Sequence, residues 1–215
     1  MNDASDAPLT LRKVAARPRD AASLILLRGA GDRIEVLLGR RALFLRFMPG
    51  AYVFPGGAID PGDRHGWAVE AGAEALGDRL TAAAHAALRE TWEEVGLLFG
   101  RPADRPPATA PLQAVERAYA EEGVVAALDR LVYVGRAITP PHSRRRFNTR
   151  FFLGRGDAVF GIPRASAELE DVGWHPVAEE PSEPLRDVTR FMLARALALY
   201  RGTAAGAPPL FYWAK

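Results

Sequence analysis

The sequence predicts an α/β protein, an α/β/α sandwich in which helices cover a mixed β-sheet. Runs rich in β-branched and aromatic residues alternate along the chain with longer runs of helical composition, which favours this class. The 215 residues, 48% of them hydrophobic and 25% charged, are enough for one domain with a buried core. Because no internal repeat and no linker divides the chain, its elements are expected to share a single sandwich.

Six segments are predicted to be strands. They are residues 22–28, 34–40, the first residues of 51–63, residues 131–137, 146–155 and a segment near 171–177. The first two flank a turn that contains Gly29 and Gly31, so they should pair as a hairpin. Alternation along 146–155 places Phe147, Thr149, Phe151 and Leu153 on one face and Arg146, Asn148, Arg150 and Phe152 on the other.

The helical segments follow from composition and from capping residues. Thr81 is the expected N-cap, and Gly96 the expected left-handed C-cap, of a helix of about four turns. Residues 64–80 are expected to be partly helical, 112–131 to form one or two helices, 183–202 to form another, and 101–111 to form a loop. Residues 1–20 are expected to be a flexible lead-in, 21–202 a single domain, and 203–215 a tail without a clear element.

The composition argues against several classes of function. A formal net charge of +2 gives no reason to expect a nucleic-acid partner. The absence of cysteine excludes disulfides and thiol chemistry. No apolar run reaches the length of a membrane span, and residues 1–20 lack the apolar centre of a secretory signal. We therefore expect no membrane partner and a cytoplasmic location.

The segment RETWEEVGL, residues 89–97, crowds three glutamates onto one side of the predicted helix. Thr91 and Val95 fall on its apolar stripe, whereas Glu90, Glu93 and Glu94 project from the opposite side as close neighbours. Such a cluster is either a solvated acidic face or a site for a hard divalent cation such as Mg²⁺ or Mn²⁺. The helix alone leaves both interpretations open.

Together with FPGGAIDPGD at residues 54–63, this segment resembles the signature of the Nudix hydrolases. The family pattern is a glycine, five residues, a glutamate, seven residues and then Arg-Glu-aliphatic-x-Glu-Glu-x-Gly-aliphatic. Gly57 takes the first position, Asp63 replaces the first glutamate, and Thr91 replaces an aliphatic residue. Between Asp63 and Arg89 lie 25 residues instead of seven, an insertion of 18 residues at about 64–81.

The sequence before the box resembles the Nudix branch that cleaves coenzyme A and acyl-coenzyme A. The hallmark of that branch is a Leu-Leu-x-x-Arg-Ser-type run, a further arginine, Pro-Gly and then Phe-Pro-Gly-Gly. Residues 37–57, LLGRRALFLRFMPGAYVFPGG, match this hallmark in part: Leu37, Leu38, Arg40, Arg46, Pro49, Gly50 and residues 54–57 are assigned to it, and Arg41 is assigned to the place of the serine. In having an insertion inside the box, the sequence also resembles this branch.

The resemblance implies hydrolysis of a diphosphate linked to another moiety, with Mg²⁺ or Mn²⁺ as the cofactor. It implies that Glu90, Glu93 and Glu94 are metal ligands and catalytic residues, and that the backbone carbonyl of Gly57 is a further ligand. Arg89 is expected to orient one of these glutamates. Cations held by carboxylates would neutralise the charge that develops as the diphosphate breaks.

The identity of the general base stays open, because members of this family use residues at different positions of the chain for this role. One of the box glutamates, Glu168 or Glu170 is expected to serve. Asp63 is expected to stabilise the turn or the helix rather than to bind metal.

Phosphate recognition is expected to use arginines, because guanidinium groups pair bidentately with phosphate oxygens. The predicted substrate-binding residues are Arg40, Arg46, Arg146, Arg150, Gly56 and Gly57. His142, Arg144 and Arg145 are more typical of a solvated surface run. Phe47, Met48 and Tyr52 either line a pocket or pack in the core.

The expected substrate is coenzyme A or a thioester of it, cleaved to 3′,5′-adenosine bisphosphate and the 4′-phosphopantetheine part. One alternative is a different diphosphate, such as ADP-ribose or a dinucleoside polyphosphate. Another is a Nudix module that senses a nucleotide without hydrolysing it. The expected partner is a small-molecule diphosphate, and a homodimer is compatible with the resemblance.

Overall fold

Two mixed sheets and three α-helices form residues 16–104, 113–143, 145–179 and 185–212, the part of the chain that the computed structural model describes. The strands are β1 (Arg19–Arg28), β2 (Glu35–Arg41), β3 (Tyr52–Val53), β4 (Gly56–Ala58), β5 (Glu70–Ala71), β6 (Leu98–Pro102), β7 (Val124–Ala127), β8 (Val132–Ile138), β9 (Phe147–Arg155), β10 (Val159–Phe160), β11 (Leu169–Pro176) and β12 (Leu210–Phe211). The helices are α1 (Asp78–Val95), α2 (Ala114–Glu122) and α3 (Asp187–Tyr200). Parts of the predicted lead-in, loop and tail lie outside the described residues, as do Arg144 and the first residues of the predicted helix 183–202.

The larger sheet has the strand order β11-β2-β1-β9-β8-β12, with β3 paired to β2 and β4 paired to β1. The antiparallel pairing of β1 and β2 confirms the predicted hairpin. β1 and β9 run parallel, from Arg19 opposite Phe147 to Leu27 opposite Arg155. β4 carries the glycine pair of the box and lies against β1, with Gly57 opposite Ala22.

β1 is buried on both faces because α1 and α3 cover opposite sides of the larger sheet. Leu24 and Leu26 pack in the core beneath α1. Ile25 and Leu27 pack in a second core, beneath α3. The continuous apolar sequence of β1 is typical of a strand with two covered faces. These layers form the predicted α/β/α sandwich.

The smaller sheet, with the order β10-β6-β7-β5, corrects two predictions. The helix predicted within 112–131 ends at Glu122, because Gly123 adopts a left-handed conformation with φ 68° and Val124 begins a strand. The predicted loop likewise begins later than residue 101, because β6 extends to Pro102 and pairs with β7. β5 lies in the segment between Asp63 and α1, where the insertion is predicted, and pairs in parallel with β7.

The ends of α1 and of the chain differ in part from expectation. Thr81 lies inside α1, which begins at Asp78, and its hydroxyl donates to the Gly77 carbonyl at 3.1 Å. Gly96 closes the helix in the expected left-handed conformation, with φ 72°. β12 gives the tail a strand, because its backbone pairs in parallel with β8. No helix within the described ranges has the length and hydropathy needed to cross a membrane.

Removing the hydroxyl of Tyr119 should lower the stability of the fold. This fully buried hydroxyl joins α2 to β6: it donates to the Phe99 carbonyl at 2.9 Å and accepts from the Phe99 N–H at 3.2 Å. Because Tyr119→Phe removes both hydrogen bonds, the free energy of unfolding should fall by about 1–3 kcal/mol, measured by denaturant titration. Tyr133→Phe is the control, since that hydroxyl has no hydrogen-bond partner among the described residues. Equal losses in the two variants would contradict the prediction.

Candidate active site

A cavity of about 400 Å³ lies beside the glycine pair of β4 and the C-terminal half of α1. We call it the main cavity. Its lining combines acidic, cationic and aromatic side chains: Glu90, Glu94 and Glu168; Arg19, Arg41 and Arg145; and Phe47, Phe54, Phe147 and Phe151. An outer cavity of about 690 Å³ shares Phe47 and Arg145 with it and is also lined by Arg46 and Ser143. The two cavities together offer an acidic end and a cationic, aromatic end.

Gly56 and Gly57 let backbone approach the glutamates of α1 closely. A Cβ atom on Gly57 would lie 2.3 Å from Oε1 of Glu90, so only glycine fits there without displacing that carboxylate. The N–H of Gly56 donates to the Glu94 carboxylate at 2.8 Å. A Cβ on Gly56 would lie 2.4 Å from the carbonyl oxygen of Ala22 on β1. The glycine pair therefore fixes the distance between the larger sheet and α1.

Arg89 connects the turn after β4 to the glutamates of α1. Its Nε and Nη2 donate to the two carboxylate oxygens of Asp63, each at 3.0 Å, and its Nη1 donates to Glu90 and Glu93 at 3.0 and 2.9 Å. Burial favours the neutral guanidine, yet the hydrogen bonds that Arg89 donates to Asp63 and the negative charges of Glu90, Asp63 and Glu93 outweigh it, so the pKa of Arg89 is raised. Asp63 is fully buried and also accepts from the N–H of Asp60, so it stabilises the turn as expected.

Two of the three box glutamates line the main cavity, Glu94 buried and Glu90 half-buried. Burial raises the pKa of Glu90 to about 7, although Arg89 opposes the rise, and the charges of Glu93 and Glu168 add to it. Burial also raises the pKa of Glu94 to about 8, against the hydrogen bond from Gly56. The side chain of Glu93 is 44% exposed and pairs with Arg89. The structure therefore brings Glu90 and Glu94 together at the cavity, whereas Glu93 is not among its lining residues.

The residues present fit a hard divalent cation. Within the described ranges, no three His, Cys, Asp or Glu side chains form a ready-made metal cluster, because Arg89 and Gly56 bind the box carboxylates. The donor set is nevertheless that of Mg²⁺ or Mn²⁺, since Glu90, Glu94, Glu168 and the backbone of Gly57 line one cavity. A cation there would also offset the burial that raises the two carboxyl pKa values.

The two other candidates for the general base are in different surroundings. Glu168 lines the main cavity, and its charge contributes to the raised pKa values of both Glu90 and Glu94. Glu170 of β11 instead accepts a hydrogen bond at 3.1 Å from Arg40, the residue opposite it on β2. Of these two, Glu168 is the one that the structure places beside the box glutamates.

The predicted phosphate-binding arginines do not gather in one place. Arg46 lines the outer cavity, whereas Arg40 is paired with Glu170. Arg146 donates to the Thr139 carbonyl, and Arg150 donates to Asp20. Among the residues that line the two cavities, Arg40, Arg146 and Arg150 are absent.

Sequence reasoning missed Arg41 as a candidate and judged Arg145 to be a surface residue. Arg41 lines the main cavity and lies close enough to Glu94 to favour its charged form. Because consecutive strand residues point to opposite faces, Arg41 and its neighbour Arg40 meet different surroundings. The signal was spacing: counted from Leu37, the Leu-Leu-x-x-Arg run places its arginine at Arg41 and not at Arg40, which corrects the assignment of Arg41 to the serine position. Arg19, which also lines the main cavity, carried no signal in the sequence.

The aromatic and histidine candidates separate in the same way. Phe47 and Met48 line the main cavity, whereas Tyr52 is buried in the core beneath α3. His142 is exposed, and Arg144 lies outside the described residues. His85 lies on α1 and is fully buried.

Comparison with known proteins agrees with this geometry. A family model described as the NUDIX domain matches residues 17–195. The Caenorhabditis elegans protein nudix hydrolase 7 is 30% identical over 175 residues, which are 77% of this chain and 54% of that protein. The chain thus spans about half the length of this relative.

Solved structures share the fold. A NUDIX hydrolase from Alicyclobacillus acidocaldarius is 34% identical, with a TM-score of 0.64 over 84% of this chain and 92% of that one. The NUDIX domain of Shewanella oneidensis NrtR, solved in complex with ADP-ribose, is 14% identical, with a TM-score of 0.53 over 86% of this chain and 90% of that one. At that identity, the second likeness concerns the fold alone. With the family model covering most of the described chain, the protein belongs to the Nudix family.

Proposed function

We propose that this protein is a divalent-metal-dependent diphosphohydrolase whose preferred substrate is coenzyme A or acyl-coenzyme A. The observation that carries the proposal is the meeting of Glu90, Glu94 and Glu168 with the glycine pair in one cavity of a Nudix-family chain. The acidic end suits metal-bridged phosphates, and the cationic, aromatic end suits the rest of a nucleotide.

The chain's own residues supply the binding and the proton transfer. Glu90 and Glu94 would hold the cation together with the backbone carbonyl of Gly57. Glu93, which does not line the main cavity, would complete the ligand set. Mg²⁺ or Mn²⁺, when bound, neutralises phosphate charge and acidifies water. Glu168 would accept the proton of the attacking water, since it faces the same cavity and Glu170 is occupied by Arg40.

The cationic end supports a substrate that has an anionic group besides the diphosphate. Arg46 and Arg145 are exposed, and neither forms an ion pair with an acidic side chain of the described residues. Coenzyme A carries a 3′-phosphate that guanidinium groups would bind. Phe47 lines both cavities and offers a face for stacking adenine. ADP-ribose, the ligand in the Shewanella oneidensis structure, is the alternative substrate and lacks that phosphate.

Purified protein should hydrolyse coenzyme A in the presence of Mg²⁺ or Mn²⁺, and should lose this activity in EDTA. A panel of coenzyme A, acetyl-coenzyme A, ADP-ribose and a dinucleoside polyphosphate, with products resolved by chromatography, tests the proposal. We expect 3′,5′-adenosine bisphosphate from the first two substrates. If ADP-ribose is cleaved and coenzyme A stays intact, the proposed substrate is wrong. If the protein binds these compounds but cleaves none of them, it is a sensing module.

Glu94→Gln should have opposite effects on activity and on metal-free stability. The substituted amide could still accept from the N–H of Gly56, but the missing charge should lower kcat/KM by about 100-fold. In EDTA the folded Glu94 binds its proton more tightly than the unfolded chain, with a pKa of about 8 against an ordinary 4.5. Metal-free stability should therefore fall as pH rises between those values, and the variant should lessen that fall and raise Tm at pH 8.

Glu121→Gln, the same change at an exposed position of α2, is the matched control. It should leave both the activity and the pH dependence of Tm unchanged. Each kcal/mol that Glu94→Gln recovers should raise Tm by about 2–4 °C in calorimetry. A wild-type protein in EDTA whose Tm does not fall from pH 5 to pH 8 would contradict the electrostatic description of this cavity.

Replacing the arginines of the outer cavity should change the discrimination between coenzyme A and dephospho-coenzyme A. If Arg46 and Arg145 bind the 3′-phosphate, Arg46→Gln with Arg145→Gln should lower kcat/KM for coenzyme A by about tenfold. The value for dephospho-coenzyme A should not change, because that substrate lacks the phosphate. Arg79→Gln, at an exposed position near the start of α1, is the control. An equal loss for both substrates would show that the arginines do not bind this group.

A further inference from the structure

The insertion within the box is packed between α1 and α2. Trp67 is only 4% exposed, and its ring stacks on that of His85 with centroids 4.6 Å apart and an interplanar angle of 11°. On the other side, Trp67 contacts the ring of Tyr119 of α2. The N–H of Ala68 donates to the carboxylate of Glu116 at 2.8 Å. The insertion therefore contributes to the core and is not an independent loop.

His85 joins two points of the chain after β4 to α1. Its ring is 1% exposed, with Nδ1 lying 2.9 Å from the backbone carbonyl oxygen of Asp63 and Nε2 in contact with the carboxylate of Glu70. A carbonyl oxygen can only accept, so Nδ1 carries a proton. The contact between Nε2 and Glu70 then holds one further proton between the two groups. We call this arrangement the Glu70–His85 tether.

The tether ends on the residue that orients Arg89. Asp63 is held through its carbonyl by His85 and through its carboxylate by Arg89, at 3.0 Å to both Nε and Nη2. The same guanidinium donates to Glu90 and Glu93. A continuous series of polar contacts, buried at His85, Asp63 and Arg89, thus runs from the insertion to the box glutamates.

We propose that His85 is a positioning residue, which with Glu70 anchors the insertion on α1 so that Asp63 and Arg89 fix Glu90 and Glu93 before a cation binds. Side chains that are already ordered lose less conformational freedom on binding, so the tether raises metal affinity. The proposal rests on the proposed function, because it assigns the insertion a role in that same metal site.

Three substitutions separate the hydrogen bonds of the tether from its packing. His85→Phe keeps an aromatic ring beneath Trp67 but donates no hydrogen bond to Asp63 or Glu70. Glu70→Ala removes the acceptor at Nε2. Glu70→Gln should retain the tether, because its amide can donate to Nε2 of a neutral ring while Nδ1 still donates to Asp63.

The measurement is the Kd for Mn²⁺, from electron paramagnetic resonance of the free ion and from calorimetric titration, together with kinetics at saturating Mn²⁺. His85→Phe and Glu70→Ala should weaken Mn²⁺ binding by about 10- to 100-fold, the usual effect of removing an outer partner of a metal ligand. Glu70→Gln should stay within about threefold of wild type. At saturating Mn²⁺, the KM for the diphosphate substrate should be unchanged in all three variants.

Leu88→Val is the control for lost stability, because Leu88 is buried on the apolar side of the same helix and contacts no member of the tether by hydrogen bond. Suppose that the wild-type protein binds Mn²⁺ and cleaves diphosphates, but that Leu88→Val weakens Mn²⁺ binding as much as His85→Phe does. That result would overturn the proposed role of the tether and leave the proposed function intact. A Glu70→Gln variant as weak as Glu70→Ala would also overturn it. A wild-type protein that neither binds Mn²⁺ nor cleaves a diphosphate would overturn the proposed function instead.

Discussion

The buried ion pair between Arg89 and Asp63 is the interaction on which the rest of the site depends. Removing two charges from water is costly, and only close geometry with fully used hydrogen bonds offsets that cost. Here both oxygens of Asp63 accept from the guanidinium, whose remaining N–H groups reach Glu90, Glu93 and the Ala58 carbonyl. The end of β4, the turn after it and α1 therefore meet at the Arg89 guanidinium. Neither the turn nor α1 can shift without leaving a buried charge unpaired.

The four carboxylates of the site differ in whether they line the main cavity. Asp63 and Glu93 pair with Arg89 and are not among the lining residues, whereas Glu90 pairs with Arg89 and also lines the cavity. Glu90 and Glu94 line the cavity, where burial raises their pKa values to about 7 and about 8. The charged forms of the Glu90 and Glu94 carboxylates are therefore unfavourable in the absence of an external cation. A cavity of low dielectric constant also strengthens the attraction between such a cation and a phosphate.

Much of this arrangement could be predicted from sequence, because it depends on local periodicity. The three glutamates, the apolar stripe and Gly96 specify α1, and the glycine pair specifies a close approach. What sequence could not give depends on pairing across the chain. Val124–Ala127 has the composition of a helix end and becomes a strand only because β6 and β5 lie beside it. Arg40 and Arg41 are adjacent in sequence, and it is the pairing of β2 with β11 that sets Arg40 beside Glu170 while Arg41 lines the cavity.

The contact between Asp63 and Arg89 does not depend on a fixed spacing of the two residues in sequence. It is made by side chains after the chain has left the turn and returned as α1. Lengthening a connection adds little entropic cost, since that cost grows only with the logarithm of its length. The residues of the connection must still be held clear of the cavity, and the packing of Trp67 against His85 and Tyr119 provides this. The site is therefore a set of contacts around Arg89, and the length of the connection that precedes α1 is free to vary.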